Sequence, residues 1–285
     1  MKKLFTRWHR PIIAFFALAI LWVVFALVTE PSHDRAWEFG QEQLPRFAIE
    51  GDRLRIDHFR DFRWTSETMA EPRYETREYD LRTLQTLDVF ISHFSDFEGL
   101  AHIFLSFGFA DGEQIVVSLE SRREMGEEFS PLLGLFRQYE MIYVVGSERD
   151  VVGVRAGPRN ERVYRYPTVA TAAQARALLE ALGRDINLLA DEPRFYNTLT
   201  DNCTNGLTRR VEDIAPVRFP FTWKTLLPGY FDAVLYDMGL IPSSGDFEAT
   251  KAIYQVDNTL VDPASPDYSR ILRTIREAPA PLETP

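Results

Sequence analysis

The spacing of apolar positions predicts a membrane helix first, then a sheet, then further helices. An uncharged run from Pro11 to Val28 is long enough for a helix to cross the hydrocarbon core of a bilayer. Residues 102–109 and 114–120 alternate apolar and polar side chains, which predicts a β-hairpin. Apolar residues recur at helical spacing over residues 168–189 and again over residues 203–211.

Shorter patterns complete the predicted fold. Residues 141–145, 151–154 and 163–166 are predicted strands, and residues 81–94 suit either one amphipathic helix or a helix that continues into a strand. Strands therefore precede helices along most of the chain. This order predicts an α+β fold with an antiparallel sheet and packed helices.

The hairpin register decides which side chains share a face. A three-residue loop over residues 111–113 pairs residues whose numbers add to 224, which brings the apolar rows of both strands to one face. In that register Arg122 lies opposite His102, and Glu120 is a diagonal neighbour of His102 on the same face. Glu120 is then expected to accept a hydrogen bond from Nδ1 of His102.

Charged residues orient the apolar N-terminal run. Lys2, Lys3, Arg7 and Arg10 precede it, and acidic residues follow it, which predicts a cytoplasmic N-terminus and an exported remainder. A retained single-pass anchor is favoured over a cleaved signal peptide because no good small-residue cleavage site follows the run. The predicted divisions are a cytoplasmic basic segment (1–10), an anchor (11–28), an extracytoplasmic domain (29–255) and a Pro-rich C-terminal tail (256–285).

Composition limits the partners. The formal net charge is −10, which disfavours nucleic acid as a partner. No spacing of His or Cys typical of a metal site occurs, so neither a metal nor another cofactor is expected. The chain has one cysteine, Cys203, so it cannot form an internal disulfide.

A lone cysteine in an exported domain is a candidate nucleophile. Asn202 is a good N-cap residue, so Cys203 is expected in the first turn of a helix, where the helix dipole and free N–H groups favour the thiolate. A nucleophilic cysteine needs a base and a group that orients the base. His102 and Glu120 are the candidates for these roles. The alternative is a small buried cysteine that only packs in the core.

Four segments resemble a known family. They are Ala101–Phe109, Ser118–Glu124, Tyr143–Asp150 and Phe195–Thr204, and they are similar to the successive motifs of the Lnb N-terminal periplasmic domain family. The pair Asn202–Cys203 also resembles the start of the nucleophile helix in the lecithin:retinol acyltransferase group. The resemblance implies a circularly permuted papain-like cysteine fold in the bacterial periplasm, anchored in the inner membrane.

The resemblance also implies a reaction. Family members of the Lnb type are lipoprotein N-acyltransferases, which implies transfer of a fatty acyl chain from a membrane lipid or lipoprotein through a thioester on Cys203, with His102 as the base and Glu120 as its partner. Supporting and substrate-binding roles are expected at a further set of residues: Asn202 and Thr204 near the oxyanion, and Arg122, Arg123, Tyr196 and Trp223 near the substrate.

Three function classes remain open on the sequence. The first is a Cys–His acyltransferase, and the second is a Cys–His hydrolase such as a cell-wall amidase, a peptidase or a lipid esterase. The third is a membrane-anchored binding or scaffold module without catalytic activity. Aromatic residues between 219 and 231 indicate an apolar substrate and favour the acyltransferase.

Overall fold

A mainly antiparallel sheet forms the centre of the structure, which is a computed structural model and describes residues 2–257, 259 and 262–274. For residues 2–10, 18 and 19 it describes the backbone alone. The strands of this sheet are β1 (Arg46–Glu50), β2 (Arg53–Arg60), β5 (Tyr74–Asp80), β6 (Leu84–His93), β7 (Ala101–Phe109), β8 (Gln114–Arg122), β9 (Glu140–Gly146) and β10 (Arg162–Pro167). A separate small hairpin is made by β3 (Arg63–Trp64) and β4 (Ala70–Glu71).

The strand order is β1-β2-β9-β8-β7-β6-β10, with β5 on the other side of β2. The ladders are antiparallel except for one parallel bridge between Arg60 and Gly146. The helices are α1 (Lys2–Val28), α2 (Glu148–Ala156), α3 (Ala172–Asp191), α4 (Cys203–Ile214), α5 (Trp223–Leu226), α6 (Phe231–Asp237), α7 (Phe247–Tyr254) and α8 (Tyr268–Thr274). The predicted α+β class is confirmed.

Each face of the sheet has its own apolar core. Odd-numbered residues of β7, such as Ile103, pack with α3 and α4 in the larger core. Phe104 on the opposite face packs with α2 and α8 in the smaller core. Because side chains alternate along a strand, His102 lies on the α2 face together with Phe104, and their rings stack with centroids 5.6 Å apart.

The hairpin forms as predicted, but its register is two lower than expected. Pairs such as Leu105 with Val117 have numbers that add to 222, and the three-residue loop is 110–112. Phe109 N–H closes it by donating to the Glu113 carbonyl at 3.0 Å. Gly112 takes the left-handed position of this loop, with φ of 89°. In the expected loop Glu113 would have taken that position, which is costly for a residue with a side chain and not for glycine.

This correction moves Glu120. The expected register placed Arg122 opposite His102. The observed register, continued beyond its last pair, Leu105 with Val117, places Glu120 opposite His102 instead, and the two side chains lie on one face, 3.7 Å apart. Arg122 instead pairs with Glu140 of β9.

Two other segments differ from the sequence prediction. Residues 151–154 were expected as a strand but lie in α2, which begins where Ser147 caps the backbone N–H of Asp150. Residues 81–94 were expected to be at least partly α-helical, but after one 3₁₀ turn at Leu81–Thr83 they form β6. In both places long-range packing overrides local spacing.

The expected C-terminal tail is also partly ordered. Residues 268–274 form α8, in which Tyr268 is buried and Arg273 pairs with buried Asp88 and Glu148. This part of the tail therefore packs on the same face of the sheet as α2. Residues 275–285 lie outside the described part of the chain.

Helix α1 carries the apolar run. Its residues 11–28 are long and apolar enough to cross a membrane, a property that an N-terminal signal sequence shares. The described side chains of this stretch are not packed in the interior of the domain. Pro11 lies within the helix.

Candidate functional site

Helix α4 begins at Cys203, as the sequence predicts. Asn202 has the extended conformation of an N-cap residue, and its side-chain oxygen accepts the backbone N–H of Asn205 at 2.9 Å. The cap places the sulfur of Cys203 in the first helical turn, and the residue is buried in the larger core.

The thiol lies where β7 and β8 separate. Pairing between these strands ends at Leu105 and Val117, although both strands extend beyond this pair. The Phe109 N–H donates to the carbonyl of Glu113, just before β8. N–H groups two residues apart on an antiparallel strand point the same way, so the N–H of Ile103 points toward β8. It faces the sulfur of Cys203 instead.

A glycine lets α4 approach this gap. A Cβ built on Gly206 would lie 2.4 Å from Cδ2 of Leu119 on β8, so a side chain there would require either Leu119 or the helix to shift. The close approach brings three backbone N–H groups, those of Ile103, Cys203 and Thr204, toward the sulfur. Such convergent N–H groups favour negative charge at this point.

On the other face, a chain of polar contacts holds His102. Nε2 of His102 lies 2.7 Å from Oγ of Ser118, which donates to Oε1 of Glu120 at 2.8 Å. Arg155 of α2 donates to the same oxygen at 2.9 Å, and the distance from Nε2 of His102 to that oxygen is 3.7 Å. We call these four residues the polar chain.

The polar chain fixes the tautomer of His102. A serine hydroxyl carries one hydrogen, and Ser118 gives it to the carboxylate of Glu120. Ser118 must therefore accept from His102, so the ring proton is on Nε2 and the lone pair is on Nδ1. Glu120 was expected to bond Nδ1; it acts instead on Nε2, through Ser118. Nδ1 is left as the basic nitrogen.

Burial and Arg155 set the charges of this chain. Burial, together with the positive charges of Arg155 and Arg159, lowers the pKa of His102 to about 4, against a weaker opposing effect of Glu120. Burial alone would raise the pKa of Glu120, but Arg155 and His102 outweigh it and lower that pKa. At neutral pH the imidazole is neutral and the carboxylate is ionised.

The thiol has the opposite tendency from the one expected. Burial raises the pKa of Cys203, and the N–H of Ile103 and the polar groups of Thr204 and Cys203 only partly offset it. The sequence predicts a thiolate at the helix start, whereas at neutral pH the structure favours a protonated thiol, because removal from water outweighs the helix terminus.

The thiol of Cys203 and the imidazole of His102 lie on opposite faces of the sheet, near the peptide group that joins His102 to Ile103. The sulfur faces the N–H of Ile103, and that peptide group begins at His102. No hydrogen bond joins Cys203 to His102 among the described contacts. Cys203 lies in the larger core and His102 on the α2 face, so a direct contact between them would need a side chain to turn through the gap between β7 and β8. Catalytic hydrogen bonds often form only once substrate binds.

The residues flanking the thiol have unequal roles. The Asn202 amide nitrogen donates to the Thr198 carbonyl at 2.6 Å and its oxygen caps α4, so the described contacts of this amide hold the helix start. Thr204 is buried beside the thiol, and its hydroxyl and backbone N–H both lower the pKa of Cys203.

Arg122 and Arg123 do not face the site. Arg122 is buried, stacks on the Trp37 ring at 3.9 Å and donates to the carbonyls of Gln41 and Glu42. Arg123 pairs with Glu38 at 2.6 Å. Both arginines hold the segment after α1 where it crosses the end of β8, and their described contacts are with that segment and not with the thiol.

Tyr196 and Trp223 differ in their relation to the thiol. Tyr196 is buried, and its pKa is raised by burial and by the nearby Cys203. Trp223 is 58% exposed and packs on Tyr230, with no described contact to the thiol. The structure thus brings Tyr196 to the site and leaves Trp223 on the surface.

Sequence reasoning missed Ser118 and Arg155. The alternation of β8 could have indicated Ser118, because it shares a face with Glu120 and lies two residues before it. Arg155 had no such signal, since its helix was expected to be a strand. Within the described part of the chain, no group of three His, Cys, Asp or Glu residues could hold a metal ion.

We expect alkylation of Cys203 in the native chain to be slow at pH 7 and to accelerate up to and above pH 9. The raised pKa means fewer thiolates at neutral pH, about tenfold fewer for each unit, and burial slows access further. Mass spectrometry after timed iodoacetamide treatment at several pH values measures the rate, with urea-unfolded protein as the control. A native rate that levels off below pH 8 would instead indicate a preformed thiolate–imidazolium pair.

Comparison with known proteins assigns the family. A family model described as the Lnb N-terminal periplasmic domain matches residues 70–229, which is more than half of the chain and includes His102, Ser118, Glu120 and Cys203. No curated protein and no solved structure matches the chain. With the apolar helix α1, this match fits a membrane-anchored periplasmic protein. The resemblance found in the sequence is thus confirmed, and the chain belongs to the family of the Lnb N-terminal periplasmic domain.

Proposed function

We propose that this protein is a thiol acyltransferase that moves a fatty acyl chain through a thioester on Cys203. The observation that carries the proposal is the polar chain, which leaves the lone pair of His102 on Nδ1. His102 lies on β7, and the N–H of the next residue, Ile103, faces the thiol. A neutral imidazole with a free lone pair and a protonated thiol are the two groups that general-base activation of a nucleophile needs, and the proposal requires them to meet through the gap between β7 and β8.

The first half of the reaction forms the thioester. Nδ1 of His102 takes the thiol proton as the sulfur attacks an ester carbonyl carbon. The oxyanion is stabilised by the N–H groups of Ile103, Cys203 and Thr204. The ester C–O bond then breaks, and the departing alkoxide receives the proton from His102.

The second half transfers the acyl group. An amine attacks the thioester carbonyl and passes a proton to His102, the C–S bond breaks, and His102 returns the proton to the sulfur. Glu120, held ionised by Arg155, stabilises the imidazolium in both halves through Ser118. Water in place of the amine would give hydrolysis.

Aromatic contacts support an apolar substrate over a cell-wall one. Tyr196 lies beside the thiol and contacts Phe129 at 6.1 Å, and Phe129 contacts Phe94 at 6.1 Å. Phe94 and its neighbour Phe97 are 41% and 53% exposed on the loop just before His102. A row of contacting aromatic rings from the thiol to the surface favours an apolar substrate such as an acyl chain over a polar glycan.

The fold and location form part of the proposal. A histidine strand that precedes a cysteine helix is the chain order of a circularly permuted papain-like enzyme. With α1 retained as a single-pass anchor in the inner membrane, membrane lipids or lipoproteins are the substrates within reach.

Intact-protein mass spectrometry tests the proposal. The full chain in lipid vesicles is incubated with phospholipid or with a diacyl lipopeptide, and we expect a Cys203 adduct of one acyl chain that hydroxylamine removes. Adding a lipopeptide with a free N-terminal amine should discharge the adduct into an amide. Release of free fatty acid alone would identify a hydrolase, and an adduct that persists in Cys203→Ala would exclude Cys203 as the nucleophile.

A further inference from the structure

The described contacts connect the end of α1 directly to the domain. The last carbonyls of a helix have no partner within it. Here the Arg137 guanidinium donates to the carbonyl of Ala26 and, at 3.4 Å, to that of Thr29. Arg137 is therefore fixed at the level where the apolar run ends.

The segment after α1 is held by the domain as well. Ser32 donates its backbone N–H to Glu140 at 3.3 Å, and Arg35 pairs with Glu140 at 3.0 Å and with Glu124 at 2.8 Å. Glu140 is nearly inaccessible to water. With these contacts the segment is not a free tether, so one side of the domain faces the membrane that α1 enters.

That side exposes large apolar residues. Leu132, Leu133 and Phe136 are 64%, 46% and 46% exposed, and all lie within five residues of Arg137. They belong to residues 130–137, which we call the 130–137 loop and which contains one 3₁₀ turn, Leu133–Leu135. Clustered apolar side chains beside the end of a membrane span suit the boundary between headgroups and acyl chains.

The same loop contacts the segment that caps α4. Thr198 donates its hydroxyl to the Pro131 carbonyl at 2.7 Å, and its own carbonyl accepts from the Asn202 amide at 2.6 Å. A Cβ on Gly134 would lie 2.4 Å from Oγ1 of Thr198, so the loop is closely packed here. One residue thus separates the loop from the N-cap of the Cys203 helix.

We infer that the 130–137 loop docks on the bilayer surface and holds the start of α4, with Cys203, near the lipid interface. The occupant of this surface is the lipid itself, because the loop adjoins the end of α1 without a break. The inference rests on the proposed retention of the anchor but not on acyl transfer. It adds a reason why an ester group at the membrane surface would be within reach of the thiol.

A spin label placed in the loop tests this inference. The full chain carrying Cys203→Ser and Leu132→Cys is labelled and reconstituted in phospholipid vesicles, so the readout needs no activity. Paramagnetic relaxation should show the label more accessible to oxygen, which concentrates in lipid, than to a water-soluble nickel complex. A second label at Phe136→Cys should agree, and thermal melting checks that each variant is folded.

Val169 provides the matched control. It is apolar and 55% exposed, and it follows β10 at the end where Pro167 pairs with Asp88, away from the His93 and Ala101 end of the sheet. A label at Val169→Cys should show the reverse accessibility. The inference is overturned if the loop labels are as water-accessible as the Val169 label, if they are shielded from both reagents as under a protein partner, or if all three contact lipid.

Discussion

Replacing His102 by Asn is expected to slow formation of the Cys203 acyl adduct by about 10²–10⁴-fold, the usual contribution of a general base. The thiol is protonated at neutral pH, so attack needs a proton acceptor, and in the proposed mechanism this acceptor is Nδ1 of His102, which the polar chain leaves free. Intact mass measured at timed quenches gives the rate. Because the pKa of His102 is about 4, the native rate should fall only as pH drops toward 4, where the imidazole becomes protonated.

Two further variants make this result specific. Ser118→Ala should cause a smaller loss, because the ring loses its fixed tautomer but Glu120 still lies 3.7 Å away. His93→Asn should keep a rate close to the native one: His93 is buried on β6 against Tyr164, and no described hydrogen bond joins its ring to Cys203 or to the polar chain. A native rate in His102→Asn, or its loss in His93→Asn, would contradict the assignment of the base.

Local signals were sufficient where the structure itself is local. Asn202 caps the helix that its sequence predicts, and the alternation of 102–109 and 114–120 gives the hairpin with His102 and Glu120 on one face. The register was wrong because the alternation alone did not identify the residue with positive φ. Gly112 takes that position, and this shifts the loop by one residue.

The rest depended on contacts between distant residues. Residues 151–154 favour a strand by composition but form a helix because Ser147 caps it and its apolar side packs on β8 and α8. That error hid Arg155, which orients Glu120. Arg122 and Arg123 carried no sign that they would bind the segment after α1, whose path the sequence does not define.

Helix α2 depends on a buried ion pair that also involves the first strands. Arg60 donates to both carboxylate oxygens of Asp150, at 2.9 and 3.1 Å, and both residues are buried. The same carboxylate accepts the Phe62 backbone N–H at 2.9 Å and the Trp64 indole N–H at 2.7 Å. The pair thereby joins β2 and β3 to the helix that supplies Arg155.

Asp150→Asn is therefore expected to destabilise the protein by about 3–5 kcal/mol, because it leaves the Arg60 charge buried without its counter-charge. For a domain of this size that is a fall in melting temperature of about 6–20 °C, measured by circular dichroism on the full chain in detergent.

Glu78→Gln is the matched control, because it removes the same kind of partner from Arg53. The side chains of that pair are 64% and 48% exposed, so solvent replaces the lost contact and the melting temperature should stay close to the native value. Below its own melting temperature Asp150→Asn should still form the acyl adduct, since Arg155 and Glu120 keep their contact. Equal melting temperatures for the two variants would mean that the Arg60–Asp150 pair does not hold α2.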